Sequence, residues 1–217
     1  TDIEEFKPDK KEIDLEEEFY TFTIEEQETI IENIDLDDNY QLAIYLLFST
    51  GLRIGELLAL RWEDIEDGKV NVTRQWISMA VKQKDGTYKR EKFFSRPKTE
   101  SSIRSVPLPE NVYKALEPYR SEGLIFPSKE DKSKPISRDT VLKNFRLYLD
   151  SIGIESKDKT LHKIRHAYAT RLFEAGADLK TVADLMGHGS LKMLNEIYLH
   201  VSKDKKTQTV DLINKFF

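Results

Sequence analysis

TLHKIRHAYATRLF, residues 160–173, reads as one amphipathic helix with a charge out of place. On a 3.6-residue wheel Leu161, Ile164, Tyr168 and Leu172 share an apolar face, and Arg165 projects between Leu161 and Leu172. A guanidinium so placed must be paired or reserved for a ligand, because an isolated buried charge costs too much to keep. On this stretch alone, a buried structural salt bridge and an anion site are equally good readings. His162 lies on the flank of the same face, with His166 one turn on. Two histidines four apart could join His188 on a metal. Arg165 between them would repel a divalent cation, however, and Lys163 stands where a hydrolytic zinc helix carries Glu. No metal is expected, and His166 reads as structural.

Outward from this helix, the chain reads as a mixed α+β domain, mostly helical, with a small three-stranded antiparallel sheet. Thr23 followed by Glu26 is a capping box for a helix to about residue 33. A helix through QLAIYLLFST stops at Gly51, and another is expected in RIGELLALRWEDI. Residues 69–79, 89–96 and 102–108 have strand composition, with an Asp85-Gly86 turn between the first two. Further helices fit 110–120, 137–151, 161–175, 178–186, 191–201 and 205–217.

The net charge of −5 conceals an uneven distribution. Residues 1–40 hold 16 acidic against 3 basic side chains, and the other 177 residues hold 23 against 31. The acidic head, with residues 1–20 as a linker or leading arm, thus precedes a basic body of the kind a phosphate backbone attracts. Two solvated faces of opposite sign would give the same count. Cysteine is absent, which excludes disulfides and thiol chemistry and fits a cytoplasmic protein. No apolar run is long enough to span a membrane.

Three other places carry candidate chemistry. Arg53 in TGLRIGEL falls at a helix start, where the dipole favours anions. It could grip a phosphate together with helix N–H groups, or simply pair with Glu56. Lys98 in RPKTESSIRSVPLP lies between predicted strands among several lysines, and by itself means little. In GHGSLKMLNEIYLHV, residues 187–201, Tyr198 recurs with Leu191, Leu194, Ile197 and Val201 at helical spacing, so packing is its first reading. Two arginines, two or three histidines, a lysine and a tyrosine, with no nucleotide loop, suit phosphoryl transfer by way of a hydroxyl nucleophile.

These segments resemble the tyrosine recombinases, or phage-type integrases. TGLRIGELLALRWEDI looks like the family's first arginine box and PKTESSIRSVPLP like its lysine hairpin. LHKIRHAYATRL resembles its His-x-x-Arg-His box, and LMGHGSLKMLNEIYLHV its His-to-Tyr closing segment. The boxes fall in the family's order between about Thr21 and Lys205. Tyr198 follows His188 by ten residues where many members have nine, and Asn195 stands where many have threonine.

The resemblance implies a catalytic domain over residues 21–204 that recombines double-stranded DNA at specific sites, integrating or excising mobile elements. Tyr198 would form a 3′-phosphotyrosine, and Arg53 and Arg165 would clamp the phosphate. Lys98 would protonate the leaving 5′-oxygen, His162 would assist proton movement, and His188 would hydrogen-bond the phosphate. It further implies no cofactor, DNA-binding domains ahead of this segment, and a tetramer on DNA in which the helix 205–217 packs on a neighbour. A type IB topoisomerase shares the chemistry. A non-catalytic helix-turn-helix binder using residues 178–198 is the reading from another class.

Overall fold

The computed structural model describes residues 22–97, 99–187 and 192–203. The expectations for residues 1–20, Lys98, His188 and the helix 205–217 lie outside the described residues.

The chain opens with α1 (Ile24–Glu32), capped as expected: the Thr23 hydroxyl accepts from the Glu26 amide while the Glu26 carboxylate accepts from the Thr23 amide. Helix α2 (Asn39–Thr50) is buried on nearly every side and forms the axis of the main core, packed by α5 (Arg138–Ser151) and α6 (Leu161–Glu174). It ends at Gly51, whose φ of 61° is left-handed. A Cβ at Gly51 would lie 2.2 Å from the Tyr168 ring, so glycine is required there both by backbone and by the approach of α6.

The helix expected in RIGELLALRWEDI is shorter than its pattern. Helix α3 (Ile54–Leu58) gives way to a 3-10 turn at Trp62–Asp64. Arg53 is the N-cap of α3, with extended backbone, rather than a residue of its first turn.

The strand region contains a three-stranded antiparallel sheet, assembled differently from the expectation. Strands β1 (Ile65–Glu66), β2 (Lys69–Val72) and β5 (Arg104–Pro107) form it in the order β1-β2-β5. Strands β3 (Gln75–Lys82) and β4 (Tyr88–Ser95) form a separate hairpin, closed at the predicted Asp85-Gly86 turn. The expected strand 69–79 is thus broken at residues 73–74. At the break the Arg74 guanidinium turns back to bond Asp64 at 2.7 Å, a long-range pairing that strand composition does not reveal. The base of the hairpin leans on α3, where a Cβ at Gly55 would fall 2.8 Å from the Trp76 carbonyl oxygen.

After β5 come α4 (Glu110–Leu116), a 3-10 turn at Glu117–Tyr119, then α5, α6, α7 (Leu179–Met186) and a helix over residues 192–203, α8. The buried side chains fall into two clusters. The large one runs from Phe22 to Ala167. A small one holds Ala169, Phe173, Val182, Met186, Leu194, Ile197 and Val201, so α6 belongs to both. Among the described residues no helix is long and apolar enough to cross a membrane.

Gly51→Ala should cost roughly 2–4 kcal/mol, since left-handed strain adds to a clash with a packed ring. Thermal unfolding of this variant would show a much reduced Tm. An unchanged Tm would contradict the close approach of α6 to the end of α2.

Candidate active site

The site is built on the carboxyl end of α7. The last carbonyls of any helix lack intrahelical partners, and here three in succession each receive a guanidinium. Arg104 Nε donates to Leu185 O at 2.6 Å. Arg165 Nη2 donates to Met186 O, and Arg53 Nη2 donates to Gly187 O at 3.0 Å. Arg165 Nη1 also donates to Gly51 O at 2.6 Å, which ties the end of α7 to the end of α2. Its guanidinium, 1% exposed, is therefore held by main-chain carbonyls. Burial, and next the nearby Arg53 charge, lower its pKa to about 9, partly offset by Glu56; it stays charged at neutral pH.

Glu56 is the anion of this cationic cluster. Its carboxylate, 2% exposed, accepts from Arg104 Nη1 at 3.1 Å and Nη2 at 2.9 Å. It also accepts from Arg53 Nη1 at 2.8 Å and the Arg53 amide at 2.9 Å. Desolvation is the largest single influence on its carboxyl and acts upward. The Arg104 hydrogen bonds and charge, with the Arg53 amide and charge, outweigh it and leave the pKa below its ordinary value. The local Arg53–Glu56 pair weighed from sequence is present, and Arg53 reaches Gly187 as well. Its side chain remains 35% exposed, at the wall of a cleft of about 540 Å³ that Glu56, Gln75, Ser78, Thr99 and Gly187 also line.

His162 sits one turn before Arg165 on α6, with its ring 4.7 Å from that of His166 in an edge-to-face arrangement. Desolvation, followed by the charges of Arg165, Arg53 and Arg138, lowers the His162 pKa. Desolvation, then His162, Arg165 and Lys163, lowers that of His166 to about 4. Neither ring nitrogen of His166 has a hydrogen-bond partner among the described residues. Among the described residues no group of three histidine or carboxylate side chains is placed to hold a metal.

Tyr198 does not share the buried stripe of its helix. Leu194, Ile197 and Val201 are buried, whereas Tyr198 is 37% exposed and rests edge-on against Phe173 at 5.4 Å. The structure thus brings Arg53, Arg165 and His162 together. It holds Tyr198, on α8, against Phe173 of α6, with no hydrogen bond to either arginine among the described residues.

Sequence reasoning missed Arg104 altogether and treated Glu56 only as a possible partner for Arg53. A signal for Arg104 was present. Arg104, Val106 and Leu108 share strand parity, and the two apolar residues are buried, so the arginine stands on the inward face.

The chain belongs to the phage integrase family, whose sequence profile matches residues 21–205. A XerC-like tyrosine recombinase from Caldanaerobacter subterraneus subsp. tengcongensis is 34% identical across 97% of this chain and 58% of its own length. A XerD tyrosine recombinase from Vibrio vulnificus is 30% identical over 81% of this chain and 52% of its own. The chain therefore spans about half the length of these curated relatives. The same fold occurs in the XerA recombinase, with a TM-score of 0.65 at 22% identity, covering 87% of this chain and 62% of that one. It also occurs in a Tn1549 transposon integrase solved with transposon right-end DNA, with a TM-score of 0.64 at 22% identity, covering 87% and 65%.

Because the folded state resists protonating His166 while the unfolded chain accepts a proton near 6.5, folding should lose stability as pH falls from about 6.5 toward 4. Above pH 7 this group should have no effect. His166→Phe should flatten the dependence of Tm on pH within that window. Parallel profiles for the two proteins would show that His166 titrates normally.

Proposed function

We propose that this domain breaks and rejoins double-stranded DNA at a defined recombination site, through a 3′-phosphotyrosine on Tyr198. The observation that carries the reading is the anchoring of Arg53 and Arg165 on adjacent carbonyls, with Arg53 facing the cleft. Arg53 can hold a non-bridging oxygen of a phosphate in the cleft, and the charge of Arg165, buried close by, adds to the stabilisation of the charge that builds there.

In this reading the Tyr198 oxygen attacks phosphorus and the phosphorus–5′-oxygen bond breaks. The phenolic proton leaves by way of His162, whose pKa burial, and then its cationic neighbours, lower, so that its neutral ring is favoured as the acceptor. Lys98 supplies a proton to the departing 5′-oxygen, and His188 hydrogen-bonds the phosphate. The reverse steps, with the 5′-hydroxyl of an exchanged strand, restore the DNA. The phosphotyrosine conserves the bond energy, so no nucleotide cofactor enters.

A second groove of about 800 Å³ shares Ile77 and Ser78 with the arginine cleft, and Arg90, Lys92 and Arg138 line it. Glu130, Asp131 and Asp139 line the same groove with Lys134, so any phosphate contact there would fall to Arg90, Lys92 and Arg138, which form no ion pair among the described residues. The relatives are recombinases and integrases, which favours strand exchange over topoisomerase-like relaxation. A bare helix-turn-helix binder would not need the partly exposed Arg53 at the wall of a separate cleft. We further propose assembly as a tetramer on DNA, with residues 205–217 passed to a neighbouring protomer.

Tyr198→Phe should lose the covalent adduct with nicked suicide DNA by on the order of a thousandfold or more, yet melt like the wild type. An adduct surviving on a denaturing gel would reassign the nucleophile. Deleting residues 207–217 should weaken assembly on DNA in gel-shift experiments while leaving the domain folded. Undiminished assembly would remove the tail from the interface.

A further inference from the structure

We propose that Arg104 is a positioning residue for DNA cleavage, acting through Glu56 to fix the guanidinium of Arg53. The inference rests on the reading that Arg53 clamps the scissile phosphate. Arg104 leaves β5 with a side chain 6% exposed and uses all three of its guanidinium nitrogens. One holds Leu185 O, and two hold the two oxygens of Glu56, with Nη1 also reaching Ser102 O at 3.1 Å. Its guanidinium lies directly beneath the Gly187 turn, where a Cβ would come within 2.9 Å of Nη1. Arg104 therefore joins three separate pieces of the site at one plane: the strand that follows Lys98, the helix that Arg53 caps, and the end of α7 ahead of His188.

The path to Arg53 is short and rigid. Glu56 accepts from the Arg53 amide and side chain with the same two oxygens that Arg104 grips. Without Arg104 the Glu56 carboxylate would be buried with its charge incompletely balanced, and free to rotate or take up a proton. Either change removes the anchor that orients Arg53. A lysine could supply the charge but not the fork, which needs nitrogens aimed at a carboxylate and a carbonyl in one plane.

The test separates positioning from stability. Wild type, Arg104→Met, Glu56→Gln, the double variant and Lys98→Ala are compared for Tm, DNA affinity and single-turnover cleavage of nicked suicide DNA. Arg104→Met should cleave at least about tenfold more slowly, with Kd for DNA within about twofold of the wild type. The double variant removes both buried charges, so its Tm should return toward the wild-type value, but its cleavage should stay as slow as that of Arg104→Met. Should Arg104→Met fail to fold, the double variant carries the comparison. On DNA with sulfur at the bridging 5′ position, Lys98→Ala should be rescued, since a thiolate needs no acid, while Arg104→Met should remain slow.

Cleavage that recovers together with Tm in the double variant would make Arg104 merely structural and overturn the proposal. Rescue of Arg104→Met by sulfur would also overturn it, by routing the effect through the leaving group. A wild type that forms no adduct at all would remove the phosphotyrosine reading, and this inference with it. Normal wild-type cleavage with an equally fast Arg104→Met would remove only the role of Arg104.

Discussion

The site depends on how the buried carboxyl end of one short helix is satisfied. Helix α7 finishes with Leu185, Met186 and Gly187 presenting carbonyls to the interior, and buried carbonyls without partners are costly. Each is met by a guanidinium from a different part of the chain: β5, α6 and the start of α3. The partial negative charge at a helix carboxyl end favours such cations. Among the described residues, one buried carboxylate, Glu56, and that fraction of a charge stand beside the three guanidiniums. Among the described residues that balance is positive at the wall of the cleft that Arg53 faces. A structural requirement, capping α7, thereby gathers the positive charge that the proposed phosphate binding would use.

The division of the buried side chains into two clusters bears on the tyrosine. Arg165 bonds Gly51 O at the edge of the large core and Met186 O in the small one, so it ties the two together. Helix α8 rests on the small cluster through Leu194, Ile197 and Val201. Burying each such side chain contributes about 1.5–3 kcal/mol, a minor share of what holds α2, α5 and α6 together. Free energies of local opening follow burial. Of the described elements that carry proposed catalytic groups, α8 is the one whose repositioning disturbs the main core least. Tyr198, on that helix, stands against Phe173 of the small cluster.

Where the sequence was legible, the signal was local. The Thr23–Glu26 capping box, Gly51 and the Asp85-Gly86 turn each act within a few residues, and each is where its chemistry puts it. Arg165 was legible for a different reason: a charge on an apolar face has few acceptable explanations. The break of the strand at residues 73–74 was not legible, because it is enforced by Asp64, ten residues back. The early end of α3 is where Leu60, Arg61 and Trp62 pair with residues 123–125, a long-range contact that the local pattern does not reveal. Arg104 did announce itself by strand parity with Val106 and Leu108, but nearby lysines make a basic residue in that region look like surface. The roles of Lys98 and His188 came from family resemblance, since neither has a distinctive local pattern.

The pairing of Arg53 with Glu56 shows why a bland reading and a functional one need not compete. A guanidinium has five N–H donors. In Arg53 the described side-chain contacts employ one from Nη1 and one from Nη2, toward Glu56 and Gly187. Those two bonds fix the plane of the fork from behind, while about a third of the side chain stays open toward the cleft. Were Arg53 unpaired, it would sample many rotamers and lose entropy on gripping a phosphate. With Glu56 holding it, that cost is met during folding, and Glu56 is itself held by Arg104. In the proposed reading, the ion pair that looked like an alternative to phosphate binding is thus the means of preparing for it.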